Sequence, residues 1–241
     1  MTTLTLDFGN TRLKAGIFHG NELAHNITLQ EDTESDIEEI IKKYKPHKTI
    51  LSSVINHNRA IETLLAKHTQ FHVLNHTSKL PFTIPVGKPE TVGADRLALC
   101  AAATYFYPNC NNLIIALGSC ITYNFINQAH QFLGGSISPG LQMRFKAMHD
   151  YTALLPSLQP QPIFPLIGYD TNTNLQSGVQ YGMAFEIDGT IAAYQAKFGN
   201  FNAILTGGNT AFFVPLLKNR IFADNQFIFK GLYAISQHNN V

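Results

Sequence analysis

The stretch Leu4-Thr-Leu-Asp7-Phe-Gly9-Asn-Thr11 decides how the rest of the chain is read. Leu4 to Phe8 alternates apolar and polar side chains at period two, Gly9-Asn10 supplies a turn, and Arg12-Leu-Lys-Ala-Gly-Ile-Phe18 resumes as a second strand. The hairpin so predicted gathers a carboxylate (Asp7), a flexible glycine (Gly9), an amide and a hydroxyl (Asn10, Thr11) and two cations (Arg12, Lys14) at one tip. Such a tip can cradle phosphates. Gly9 lets backbone N–H groups approach phosphate oxygens, Asn10 and Thr11 donate hydrogen bonds, Lys14 offsets charge, and Asp7 can orient a water-bound Mg²⁺. The same residues also suit an ordinary hairpin with a solvated tip.

Outward from the hairpin, His19-Gly-Asn21 turns into a third strand from Glu22 to Leu29, and Ser35 is expected to cap a helix from Asp36 to Tyr44 that ends at Pro46. A strand over Thr49–Ile55, a helix over Asn58–His68 and a short strand over Phe71–Leu74 follow. Beyond a Pro- and Gly-rich loop, Thr91-Val-Gly93-Ala94-Asp95-Arg96 leads into an alanine-rich helix ending near Tyr107. Pro108 to Asn112 breaks the pattern. Leu113-Ile-Ile-Ala116-Leu-Gly118-Ser119-Cys-Ile-Thr122-Tyr-Asn-Phe-Ile126 then repeats the plan of strand, Gly-hydroxyl turn, strand. The expectation is an α/β chain of two lobes, residues 1–110 and 111–241, each a mixed sheet flanked by helices, with a cleft between them for a ligand. In the second lobe Ser138-Pro139-Gly140 precedes a helix over Leu141–Leu154. A long helix spans Thr173–Phe198, Asn202 to Thr206 is a strand entering the Gly207-Gly208 turn, and a last helix and strand finish the chain.

Composition limits the partners. The chain has 241 residues, 45% of them apolar, enough for a large core, with 14% charged residues and a net charge of +1. No basic or acidic tract points to nucleic acid, membrane lipid or a polyanion, so a small ligand is expected. The N-terminus lacks a basic n-region and an apolar h-region, and the most apolar window, Leu97 to Tyr107, is shorter than the ~20 residues that span a bilayer. Three cysteines without metal-ligand spacing fit free thiols, and the expected location is the cytoplasm.

Gly93-Ala94-Asp95-Arg96 sets a carboxylate and a guanidinium at a helix N-terminus, where the dipole favours anions. Asp95 could accept an alcohol proton while Arg96 steadies a carboxylate or a moving phosphoryl group; the competing reading is a helix cap with a local ion pair. Gly134-Gly135, Gly140 and Gly207-Gly208 mark turns where backbone can approach a nucleotide. His68, His72 and His76 recur every four residues, but a strand at Phe71–Leu74 would scatter their rings, so no metal site is expected there. The Phe-rich stretches Ala211-Phe-Phe-Val214 and Phe227-Ile-Phe229 read as core.

Taken in order, these elements resemble type III pantothenate kinases of the actin-like (ribonuclease H-like) phosphotransferase superfamily over nearly the whole chain. Asp7 to Lys14 is similar to the family's phosphate motif, Gly93 to Arg96 to its Gly-x-Asp-Arg substrate motif, and Gly118-Ser119-x-x-Thr122 to its second phosphate turn. The resemblance implies transfer of the ATP γ-phosphoryl to pantothenate, giving 4′-phosphopantothenate, the first step towards coenzyme A. It implies that Asp95 is the base and that Gly93, Ala94, Asp95 and Arg96 bind pantothenate. Asp7, Phe8, Gly9, Asn10, Thr11, Arg12, Leu13, Lys14 and Ser119 would hold ATP with Mg²⁺. Thr171 would reach pantothenate across a homodimer interface. Two positions depart from the family. Ala116 stands where an aspartate coordinates an activating K⁺ or NH₄⁺, and a methyl group cannot ligate a cation, so that site carries over only if backbone carbonyls or a nearby group substitute. Val86 replaces a substrate-contacting tyrosine. The alternatives to a working kinase are a weakened paralogue that binds ATP or pantothenate as a regulator, and a kinase of another small alcohol.

Overall fold

The computed structural model describes all residues except Val86, Asn240 and Val241. The chain forms β1 (Thr2–Phe8), β2 (Leu13–His19), β3 (Glu22–Leu29), α1 (Glu34–Tyr44), β4 (Lys48–Ser53), α2 (Ala60–His68), β5 (Gln70–Val73) and α3 (Ala94–Phe106). It continues with β6 (Asn112–Leu117), β7 (Cys120–Ile126), β8 (Phe132–Pro139), α4 (Leu141–Asp150), α5 (Thr171–Phe198), β9 (Asn202–Thr206), α6 (Thr210–Phe213), β10 (Phe222–Ala223) and α7 (Phe227–Asn239).

The repeat legible in sequence is a repeat of topology. The first sheet has strand order β3-β2-β1-β4-β5 and the second β10-β9-β6-β7-β8, which is the same plan with β6 in the place of β1 and β9 in the place of β4. In the first, β1–β2 and β2–β3 are antiparallel while β1–β4 and β4–β5 are parallel. In the second, β6–β9 and β9–β10 are parallel. Such mixed sheets, with helices in the parallel crossovers, are the ribonuclease H-like arrangement of actin-like kinases.

The two compact units do not follow a single cut at 110/111. One comprises Met1–Asn109, Ile126–Gly134 and Gln226–Val241, and the other Cys110–Phe125 and Gly135–Asn225. The physical reason is α7. This helix ends the described chain, where a strand was expected, and packs against α3, β1 and β4 of the first unit. Its Gly231 lies so close to Ala98 of α3 that an added Cβ would overlap the Ala98 carbonyl.

The pleat sorts the first sheet into two faces. Leu4, Leu6 and Phe8 of β1 join Leu51, Ile37, Ile40, Ile61 and Leu65 in a core beneath α1 and α2. The odd-numbered residues of β1 face α3 and α7: Gly16, opposite Thr5, has no Cβ because one would come within 2.9 Å of the Phe229 ring.

Local chemistry moved several helix ends. The N-cap of α1 is Thr33 rather than Ser35, its hydroxyl accepting from the Asp36 N–H, and Lys45 closes the helix in the left-handed region before Pro46. The helix after Gly140 stops at Asp150, short of Leu154. The long helix begins two residues earlier than expected, at Thr171. There Asp170 and Thr173 form a reciprocal capping box, and α5 runs as one 28-residue element through Gly182 and Gly189.

Candidate active site

Asp7 lies near the C-terminal end of β1, in register with Lys14 on β2 and Ser52 on β4, so the three share the face that looks towards α3 and α7. Burial lifts the Asp7 carboxyl from its ordinary 3.8 to about 6. Lys14 pulls it back down, and Asp95, the acidic residue of α3's first turn, pushes it further up. A carboxylate from a distant part of the sequence therefore bears on Asp7 within one unit. Beyond Asp7 the hairpin tip runs over Gly9–Arg12, closed by a Gly9 N–H to Arg12 carbonyl bond of 3.1 Å, with Asn10, Thr11 and Arg12 exposed. Phe8 and Leu13 turn their side chains into or against the α1–α2 core, which leaves their backbone alone to meet a ligand.

The start of α3 explains its own sequence. Gly93 is the N-cap residue, and its carbonyl accepts from the Leu97 N–H. A Cβ at Gly93 would sit 2.6 Å from Asp95 Oδ1, so glycine is what lets that carboxylate fold back over the helix end. Burial raises the Asp95 carboxyl, while the N–H groups of Arg96 and of Asp95 itself, with the Arg96 charge, draw it down. The Arg96 guanidinium lies 5.5 Å from the Phe132 ring centroid, a cation–π contact within the same unit. Ala94, Asp95 and Arg96 are half-buried, and from Leu97 to Thr104 the helix is fully buried. A carboxylate held this way at a helix end is suited to take a proton from an alcohol.

In the second unit three glycine turns converge at the C-terminal ends of the parallel pair β6 and β9. Gly118-Ser119 joins β6 to β7, and the Gly140 N–H donates to the Ser119 carbonyl at 3.1 Å. A Cβ on Gly140 would come 2.5 Å from that oxygen. Gly207, at φ +100°, lies so near Leu117 that a Cβ would approach its carbonyl oxygen to 2.6 Å, and the Asn209 N–H also donates to Leu117. Gly134 and Gly135 have positive φ as well, and Gly135 fits against the Tyr123 carbonyl. Sheet ends of this kind, outside the carboxyl ends of parallel strands, are where α/β folds bind ligands. Ala116 pairs with Thr206 on β9 as Asp7 pairs with Ser52 on β4, and each stands two residues before its turn glycine. The second unit thus presents a methyl group where the first presents a carboxylate. Among the described residues no group of three or more His, Cys, Asp or Glu is placed to hold a metal, and His72 instead bonds Ser78 through Nε2 at 2.7 Å.

Thr171 is exposed at the first turn of α5, beside its Asp170 cap, and Val86 lies outside the described residues. Two features escaped the sequence reading. Ser52 was read only as part of a strand, yet its hydroxyl is fully buried with no hydrogen-bond partner. Arg144 on α4 bonds Ser138 Oγ at 2.9 Å, the Pro139 carbonyl at 2.8 Å and the Glu186 carboxylate, which also accepts from the Tyr123 hydroxyl at 3.1 Å. That network fixes α4 and α5 behind the Gly140 turn. Its members are 63 residues apart at most, and no local pattern announces a contact of that range.

The model of the family described as type III pantothenate kinase matches residues 3–193. The chain is 40% identical over 238 residues to the type III pantothenate kinase of Christiangramia forsetii, covering 98% of each chain. It is 38% identical over 237 residues to that of Flavobacterium johnsoniae, covering 98% of this chain and 97% of the other. Among solved structures it resembles a Baf family transcriptional activator from Campylobacter jejuni, with TM-score 0.61 and 22% identity over 98% of both chains. It also resembles the ADPNP-bound activator of the 2-hydroxyisocaproyl-CoA dehydratase from Clostridium difficile, with TM-score 0.53 and 12% identity over 100% of this chain and 94% of that one. At such identities these structural likenesses speak to the fold alone. The near-full-length sequence matches, together with the Gly-x-Asp-Arg start of α3 and the two Gly-hydroxyl turns at equivalent sheet ends, place the chain in the type III pantothenate kinase family.

Proposed function

We propose that the protein transfers the γ-phosphoryl group of ATP to the primary hydroxyl of pantothenate, giving 4′-phosphopantothenate and ADP, the first step of coenzyme A synthesis. The observation that carries this reading is the start of α3, where Gly93 makes room for the Asp95 carboxylate and burial raises its proton affinity. Asp95 takes the hydroxyl proton as the oxygen attacks the γ-phosphorus, and the bond from that phosphorus to the β–γ bridging oxygen breaks to release ADP. Gly93, Ala94 and Arg96 bind pantothenate, with the Arg96 guanidinium at its carboxylate and aimed by the Phe132 ring. Gly9 to Lys14, with the backbone of Phe8 and Leu13, holds the phosphates, and Ser119 offers a second hydroxyl turn.

A magnesium ion suits these residues. Mg²⁺ is ordinarily held by one or two carboxylates together with substrate phosphates, and Asp7 is a carboxylate with Lys14 as its opposing charge. Bound with the nucleotide, the ion would offset phosphate charge during transfer. A monovalent cation is not expected at Ala116, where a methyl group lines the equivalent sheet end. Turnover is therefore proposed to be independent of K⁺ and NH₄⁺.

The protein is further proposed to act in the cytoplasm as a homodimer. No described helix is long and apolar enough to cross a membrane. Supporting the dimer, Tyr151, Leu154, Ile163, Ile167 and Tyr169, close together in the sequence of the second unit, are almost wholly exposed, which water disfavours for apolar side chains. Thr171, exposed two residues beyond Tyr169, is the residue proposed to meet a partner's pantothenate.

The test is an assay of purified protein with Mg²⁺-ATP and pantothenate, with and without K⁺, read by phosphopantothenate formation. Product at equal rates in both salts is expected. Absence of product under every salt would sink the kinase reading and favour a binder without turnover, and strong K⁺ activation would refute the assignment at Ala116.

A further inference from the structure

Ser52 is the last but one residue of β4, fully buried, and its hydroxyl has no hydrogen-bond partner among the described residues. A buried hydroxyl left unpaired is destabilising, so an unpaired one in a folded protein calls for an explanation. Its place gives one. Ser52 is in parallel register with Asp7, and the two side chains rise from the same face of neighbouring strands. The β4 residues that alternate with it face the other way, Leu51 into the α1–α2 core and Ser53 onto His57 at 2.9 Å and the Ile55 carbonyl at 3.0 Å. Asp7, for its part, has charged neighbours in Lys14 and Asp95 but no hydrogen-bond donor among the described residues. An unpaired donor and an undonated carboxylate thus stand side by side at the end of the sheet assigned to the phosphates.

We propose that the Ser52 hydroxyl is a positioning group for Asp7: when the nucleotide and its divalent cation bind, it donates to the carboxylate oxygen turned away from the cation and fixes the direction in which the other oxygen points. The inference rests on the nucleotide reading given above. Carboxylates that face metal ions are commonly steadied by a hydrogen bond from behind, and loss of such a support typically lowers affinity ~10–100-fold. The Ser52 hydroxyl, without a partner among the described residues, gains one when it donates to Asp7.

The experiment is calorimetric titration of the parent and Ser52→Ala with a non-hydrolysable ATP analogue, once with Mg²⁺ and once in EDTA, alongside melting of the ligand-free proteins. Ser52→Ala is expected to weaken binding of the Mg²⁺ complex ~10-fold or more and to leave the metal-free affinity as in the parent. Its ligand-free melting temperature should equal or exceed the parent's, since an unpaired buried hydroxyl has been removed. Three results overturn the proposal: equal affinities with Mg²⁺, an equal loss in EDTA, or a melting temperature that falls together with affinity. A parent that binds no nucleotide in either medium would instead overturn the nucleotide reading beneath it.

Discussion

The charge of Asp95 bears on Asp7, yet the proposal gives each a separate task, and substitutions separate them. Asp95→Asn keeps the shape of the side chain and removes the proton acceptor, so turnover should fall ~10²-fold or more with binding of Mg²⁺-ATP retained, as steady-state kinetics and titration would show. A variant as active as the parent would exclude Asp95 as the base. Asp7 bears on stability. Its folded pKa of about 6 exceeds the ordinary 3.8, so the folded protein holds that proton more tightly than the unfolded chain does. The resulting stabilisation is complete below about pH 3.8 and is lost as pH rises through about 6. Asp7→Asn, free of that dependence, should melt above the parent at pH 8, with the gap closing as pH falls towards 4; thermal denaturation across this range checks the sign. At this scale the motifs Asp7–Lys14 and Gly93–Arg96 were legible because each packs its chemistry into adjacent residues. Ser52 was not legible, because its meaning lies in the strand beside it, and neither was the influence of Asp95 on Asp7, which needs two distant stretches brought into one unit.

Elements carry the site through their packing. The Gly231 contact with Ala98 presses α7 onto α3, the helix whose first turn holds Asp95 and Arg96. Gly231→Ala should therefore cost about 3 kcal/mol or more, because backbone rather than a flexible side chain must give way, and it should show as a lower melting temperature or loss of folded protein. If Gly231→Ala melted with the parent, the close approach of the two helices would be refuted. Gly93→Ala makes a contrasting case. Its conformation, φ −58°, suits any residue, so the fold should survive, but the new methyl would displace the Asp95 carboxylate and lower kcat. Most strands and helices were legible from period and turn chemistry. The misreadings sit at ends, where a single side chain decides: Thr33 in place of Ser35, and Asp170 drawing α5 back to Thr171. The final helix was missed because Phe227-Ile-Phe229 carries no alternation that separates a buried helix from a buried strand.

For the molecule as a whole, the internal repeat was visible in sequence as two strand–turn–strand passages, and the two sheets share one strand order. The division of the chain was not, since α7 returns to α3 from more than a hundred positions away and Ile126–Gly134 returns through bonds of His130 and Phe132 to Thr83, contacts that no local pattern announces. The exposed apolar residues between Tyr151 and Tyr169 predict a dimer by sedimentation, and Ile167→Asp should shift it to monomer and weaken pantothenate binding through Thr171. A monomer at all concentrations would remove the dimer from the proposal. The placement of α7 has one further consequence, for synthesis on the ribosome. Proteins commonly fold domain by domain as they emerge, N-terminal part first. Here the strand bearing Asp7 and the helix bearing Asp95 are made early, but the helix that covers both is translated only after the entire second unit. The nascent chain must therefore leave the part of that sheet face that α7 covers open until the second unit has been made.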